Sequence, residues 1–322
     1  MDTQGMRRST GSRRKLPRRF WRAVVVGSGL ACLGVLLGLG AEAAAPPTVS
    51  GASYLGSEVC RACHEAQFKK LEPTLHGKLL GTKLSRTELQ QRGCEACHGP
   101  GSRHLEDQQN PAYQIRFGKK SGVAATDQNA VCLQCHQRGK QMYWPGSPHE
   151  ARDVTCVTCH SVHAPQSEKG QLRKASQPDV CIECHQVRVR QFTRSSHMPL
   201  REGKLTCSSC HNPHGTVTER LIPEISINAS CLRCHADKRG PFLWEHAPVI
   251  ESCLNCHLPH SSNNAPLLRI KQPRLCQQCH IESRHPTQPY GQNDRKVFSR
   301  SCVNCHLNIH GSNHPSGVFF TR

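Results

Sequence analysis

Mostly loop, with short α-helices, little or no sheet and a core that side chains do not fill: three observations predict this fold class. The pentapeptide Cys-x-x-Cys-His occurs ten times in 322 residues. Only 36% of the residues are apolar and 5% aromatic, too few for the aliphatic core that a soluble domain of this length buries. Pro, Gly, Ser and Asn crowd the stretches between the pentapeptides, and no run alternates as strands do.

Cys-x-x-Cys-His is the attachment signature of a c-type haem. Two thiols add to the vinyl groups, and the histidine reaches the iron as its proximal ligand. The attachment cysteines are Cys60 and Cys63, Cys94 and Cys97, Cys132 and Cys135, Cys156 and Cys159, Cys181 and Cys184, Cys207 and Cys210, Cys231 and Cys234, Cys253 and Cys256, Cys276 and Cys279, and Cys302 and Cys305. The proximal histidines are His64, His98, His136, His160, His185, His211, His235, His257, His280 and His306. Only Cys32 of the 21 cysteines is left over. Zinc ribbons and free disulfide pairing also use paired cysteines, but neither needs a histidine after every second one. Ten covalently bound haem c groups would supply the missing apolar mass. The fold class is therefore a multihaem cytochrome c with haems forming the core.

The remaining histidines fall in register. Between each odd-numbered motif and the next even one lies His76, His149, His197, His246 or His285. After each even motif comes His104, His163, His214, His260 or His310, at gaps of 6, 3, 3, 3 and 4 residues from the motif histidine. These ten are the candidate distal iron ligands, with His314 as an alternative to His310. Five dihaem repeats result, at approximately 57–110, 126–170, 177–218, 228–265 and 273–315. Bis-histidine ligation at every iron uses them all. Methionine is scarce after the leader, only Met142 and Met198, which argues for low-potential haems.

Chain reach limits the pairing. Opposed histidines on one iron need Cα atoms roughly 12 Å apart, given a metal–nitrogen bond of ~2 Å. Three residues span at most ~10–11 Å. His163, His214 and His260 therefore serve haems other than those of His160, His211 and His257. The upstream residues have longer tethers, and His149, His197 and His246 are assigned to the haems of His160, His211 and His257.

From the start, the chain reads as a basic stretch with Arg7, Arg8, Arg13, Arg14, Lys15, Arg18, Arg19 and Arg22, an apolar run from Ala23 to Gly40, and Ala41-Glu42-Ala43. This is the order of a secretory signal, residues 1–43; an uncleaved membrane anchor is the alternative. Residues 44–56 read as a linker and 57–322 as the decahaem region. Ser57 is expected to cap a helix that Pro73 ends, with similar starts at Thr126-Asp127 and Asn228-Ala229-Ser230.

The formal charge is +19, of which residues 1–45 contribute +6 and the remainder +13. A ferric haem with ionised propionates carries about −1, so ten bring the oxidised protein near neutrality. The basic excess compensates propionates, and no nucleic-acid partner is expected.

From Gly56 to Gly317 the chain resembles the periplasmic decahaem cytochromes of the MtrA/DmsE type. The resemblance rests on the ten motifs, Asn212-Pro213-His214-Gly215, Lys238-Arg239-Gly240-Pro241-Phe242-Leu243-Trp244-Glu245-His246-Ala247-Pro248, and Ile309-His310-Gly311-Ser312-Asn313-His314-Pro315. It implies an elongated haem wire held in an outer-membrane β-barrel porin. The implied redox partners are periplasmic or inner-membrane cytochromes and an extracellular multihaem cytochrome or reductase. The expected function is electron transfer between periplasm and cell exterior, without catalytic residues. A multihaem reductase of a small oxyanion would need an open iron site, whereas all ten motifs end in histidine and spare histidines abound. A haem-filament subunit or a free periplasmic shuttle would use the same haem chemistry without a barrel. Mass spectrometry of the exported protein is expected to give an N-terminus at Ala44; an intact apolar run would identify an anchor instead.

Overall fold

Each attachment motif is one turn of helix. In all ten, the motif histidine N–H donates to the carbonyl of the first cysteine at 2.9–3.1 Å. That turn sets the two thiols, three residues apart, on one side. The computed structural model describes residues 46–280 and 301–321; the expected signal segment with Cys32, and His285, lie outside them. Odd-numbered motifs sit in or at the end of short α-helices: Ser57–Cys63, Ala125–Leu133, Gln177–Ile182, Ile227–Leu232 and Arg274–Gln277. Even-numbered motifs occupy single turns: Glu95–His98, Cys156–Cys159, Cys207–Ser209, Cys253–Asn255 and Cys302–Asn304. Helices this short have little stability of their own in water, so something else must hold the motifs.

One such element is a polar latch inside each repeat. A side chain just before the odd motif bonds the start of the even one. The Ser57 hydroxyl accepts from Cys94 N at 3.1 Å. Asn129 Oδ1 accepts from Cys156 N at 2.8 Å, Gln177 Oε1 from Ser208 N at 2.8 Å, and Asn228 Oδ1 from Cys253 N at 2.7 Å. In the fifth repeat the Ser301 hydroxyl donates to Gln272 Oε1 at 2.5 Å. The latches also correct the expected helix caps. Ser57 lies inside its helix, with Gly56 at the cap and no capping bond. Asn228 likewise lies inside, and Ser226 caps by accepting from Ala229 N at 3.0 Å. Thr126 and Asp127 also lie inside their helix, whose cap position is Ala124, with no side-chain cap. At Ser57 and Asn228 the polar side chains turn toward the neighbouring motif instead of their own helix.

Sheet is minimal among the described residues. Strand β1, Ser196–His197, pairs antiparallel with β2, Ser261–Ser262, in the register Ser196 to Ser262 and His197 to Ser261. This joins the third repeat to the fourth. Eight apolar side chains are buried among the described residues: Val49, Ile115, Ala130, Val131, Trp144, Val180, Phe192 and Leu268. They are scattered along the chain and form no continuous core. Near the first repeat the buried carboxylate of Glu95 accepts from the backbone N–H groups of Leu55, Gly56 and Gly101 at 2.8–3.0 Å, fastening residues 55–56 to the second motif. No described helix is long and apolar enough to cross a membrane.

Replacing Asn228 by Ala removes the acceptor of the Cys253 amide and the donor to Val249 O and Ile250 O. Three hydrogen bonds worth about 1 kcal/mol each are then lost. Hydrogen exchange at the Cys253 amide is expected to accelerate roughly tenfold or more; unchanged protection would show that the latch is ornamental.

Candidate haem-binding array

Histidine rings are opposed in pairs along the chain, five of them near parallel and three at 56–65°. Eight pairs have ring centres 5.9–6.3 Å apart: His64 with His104, His136 with His76, His98 with His163, His185 with His149, His160 with His214, His211 with His260, His280 with His246, and His257 with His310. Each pair joins one motif histidine to one histidine outside the motifs. Two imidazoles on opposite sides of one iron need about 2 Å for each metal–nitrogen bond and about 1 Å from nitrogen to ring centre, so about 6 Å in all. The gaps fit an iron and are too wide for ring-on-ring contact.

The ring nitrogens fit the same reading. A metal-bound imidazole commonly donates its other N–H to a carbonyl, which fixes the tautomer and aims the free nitrogen. Nδ1 of His98, His160, His211, His257 and His306 lies 2.5–3.0 Å from the carbonyls of Ile115, Gly170, Arg220, Pro266 and Phe319. On the opposite side of other pairs, Nδ1 of His149 meets Pro213 O at 2.7 Å and Nδ1 of His246 meets Ile309 O at 3.0 Å. In the paired histidines among these, Nε2 remains for a metal. Burial, with a smaller contribution from His160, holds His214 down at about 4. Burial, then Arg188 and His211, does the same to His260, also about 4. Neutral imidazole is the form that binds iron.

The cysteines order the motifs. Within every repeat the first cysteines are neighbours: Cys60 with Cys94, Cys132 with Cys156, Cys181 with Cys207, Cys231 with Cys253, and Cys276 with Cys302. Between repeats the second cysteines take over: Cys97 with Cys135, Cys159 with Cys184, Cys210 with Cys234, and Cys256 with Cys279. Every motif thus lies near the next, within electrostatic range, in chain order. Burial pushes the Cys97 thiol up to about 12. Among the described residues no three metal-ligating side chains gather around one point, whereas structural zinc takes four ligands.

Two glycines let the array close. Gly215 follows His214 with φ +117°, and a Cβ there would lie 2.0 Å from Tyr143 O. Gly311 follows His310 with φ +132°, and a Cβ there would lie 2.1 Å from the Phe242 ring. Both are in the left-handed half of backbone space that favours glycine.

The pairing corrects one sequence expectation. His149 and His246 face His185 and His280, the next odd-numbered motif, and not His160 and His257. Those even motifs are faced by His214 and His310, and His211 by His260, so no place opposite it is left for His197. His197 directs Nε2 to Glu202 at 3.1 Å and Nδ1 to Arg194 O at 2.7 Å. Among the described residues it faces no motif histidine, and His235 enters no ring pair. His310 takes the place opposite His257, while His314 Nδ1 accepts from Ser316 N at 3.1 Å. The carbonyl acceptors were not read from the sequence, because every residue carries one.

Comparison with known proteins bears on the haem-attachment motifs. Residues 94–184 match the family described as cytochrome c-type protein NrfB-like. Residues 197–240 and 246–285 match the doubled CXXCH motif. The chain is 42% identical over 278 residues to the multiheme cytochrome MtrA of Shewanella baltica, covering 83% of this chain and 81% of that one. It is 28% identical over 129 residues to the cytochrome c-type protein NrfB of Escherichia coli, covering 39% of this chain and 63% of that one. The NrfB of Haemophilus influenzae is 26% identical over 168 residues, covering 46% and 73%. With covalent haem c on its Cys-x-x-Cys-His motifs and electron transfer rather than catalysis as its work, the chain belongs to the MtrA family of multihaem cytochromes.

Proposed function

We propose that the chain carries ten bis-histidine haems and passes electrons along them in chain order, inside an outer-membrane β-barrel, between the periplasm and the cell exterior. The observation that carries this reading is the unbroken succession of neighbouring motifs, eight of them with an opposed histidine pair about 6 Å apart. Bound haem supplies the Fe(III)/Fe(II) couple that holds each electron in passing. The residues do the rest. The cysteines fix each group covalently, so none is lost in either oxidation state. The two imidazoles of each pair would hold the iron between them and leave no place for a substrate. The cysteine contacts keep neighbours close enough for an electron to hop.

The repeat register completes the ligand set. His76, His149 and His246 each face the motif histidine of the following odd motif, so His197 is assigned to His235 once its Nε2 leaves Glu202. His285, or His314, is assigned to His306. An exported chain without lipid-facing strands of its own needs a closed barrel around it to lie within a bilayer. Its redox partners are a periplasmic or inner-membrane cytochrome at one end and an extracellular multihaem cytochrome or reductase at the other.

In the His214→Gly variant, about a tenth of the haem is expected to become high-spin in the ferric state and to bind carbon monoxide when reduced, from loss of one axial bond in twenty. An entirely low-spin spectrum would remove His214 from the ligand set. Purified from the outer membrane, the protein is expected to bring a β-barrel with it. In vesicles, only the pair should pass electrons from external dithionite to an enclosed dye. Equal transfer by the barrel alone would refute the conduit.

A further inference from the structure

The even-numbered motifs share a second device. After each of the last four, the chain loops away and returns so that two successive carbonyls meet the motif. The first faces the motif histidine: Gly170 O on His160, Arg220 O on His211, Pro266 O on His257 and Phe319 O on His306. The second accepts a backbone N–H just beyond it: Gln171 O from Ser161, Leu221 O from Asn212, Leu267 O from Leu258 and Phe320 O from Asn308, at 2.7–3.0 Å. The residue supplying that second carbonyl has a left-handed backbone in every strap, with φ +46° at Gln171, +60° at Leu221, +58° at Leu267 and +50° at Phe320. Non-glycine residues rarely adopt this conformation, and it persists only where the surroundings impose it. Four recurrences at one place in the repeat mark it as part of the design.

The odd-numbered motif histidines lack the device. Among the described residues, His64, His136, His185, His235 and His280 are exposed in the polypeptide and have no Nδ1–carbonyl bond. For His185 and His280 the opposite ring supplies one, through His149 to Pro213 O and His246 to Ile309 O. For the first and third motifs neither ring does. Nδ1 of His104, opposite His64, and Nδ1 of His76, opposite His136, are buried and meet no carbonyl, although the Gln171 side chain approaches the His76 imidazole.

A carbonyl that accepts the Nδ1 proton makes Nε2 a stronger electron donor and favours Fe(III), lowering the potential. We propose that these carbonyls grade the potentials along the chain: the straps keep their haems low, and the pairs His64–His104 and His76–His136 hold the two most positive haems. Gln171, Leu221, Leu267 and Phe320 are positioning residues that turn the straps. The inference rests on the axial pairing proposed above. On reduction one electron enters iron, no bond breaks and the Nδ1 proton stays on its ring.

Spectroelectrochemistry of the full holoprotein tests this. Two of the ten haems should reduce first. Cys60→Ala/Cys63→Ala and Cys132→Ala/Cys135→Ala should each remove amplitude from the most positive part of the curve; loss from the most negative part would overturn the grading. Proline cannot adopt the backbone of Leu267. In Leu267→Pro the ferrous-to-ferric ratio of about a tenth of the haem, read at a fixed potential, should rise about fivefold, the effect of one hydrogen bond, with the spectrum still low-spin. Leu267→Gly accepts φ +58° without strain and should retain the wild-type curve. A low-spin Leu267→Pro protein with the wild-type curve, or a Leu267→Gly curve displaced as far as the proline one, would overturn the strap's role. Where Leu267→Pro does not mature, Ser196→Ala carries the test, because the Ser196 hydroxyl accepts the Leu267 N–H at 2.9 Å; the same sign of shift is expected. A high-spin fraction in the wild-type protein would instead overturn the axial pairing itself.

Discussion

An imidazole three residues beyond a motif histidine cannot cross the iron to face it, because three residues of extended chain are shorter than the span between opposed ligands. The arrangement of His160, His211 and His257 depends on this limit. Each must take its partner from elsewhere, and the structure sets His214, His260 and His310 opposite them. Every such crossing draws two motifs together. A steric constraint on one tripeptide thus becomes the force that spaces a whole chain of sites.

The polypeptide supplies little else in the way of a core. Its buried apolar side chains are few and scattered. Its helices are short, and the strongest local device is a side-chain amide or hydroxyl reaching from one motif to the next. Glu95, buried and ringed by three N–H donors, shows the same economy at the N-terminal side. Polar latches are directional and fix geometry well, but they contribute modestly to net stability. The covalent haems therefore carry the hydrophobic burial, and the latches decide which motif neighbours which.

The sequence made the attachment sites legible because the chemistry demands fixed residue types at fixed spacing. The histidine register was legible for the same reason, and chain reach excluded His214 from His211. The direction taken by the longer tethers was not. His149 has residues enough to reach either His160 or His185, and only packing decides for His185. Ser57 and Asn228 looked like helix caps because a capping side chain and a latching one have the same composition. The straps left no trace at all: their acceptors are backbone oxygens, and the left-handed residues are Gln, Leu, Leu and Phe, side chains that no turn rule would select.

The gap of 6 residues between His98 and His104, against 3 in the middle repeats, has a consequence for how such a chain can grow. Adjacent repeats exchange histidines reciprocally. His76 reaches forward to face His136 and His163 reaches back to face His98; His149 and His214 make the same exchange one repeat later. His104 trades with no one, and closes on His64 of its own repeat. The first repeat is an end cap. Interior repeats could be duplicated or deleted without leaving a dangling valence, whereas loss of a cap strands a ligand position at the terminus. A chain of this pattern begins where a histidine turns back on its own repeat.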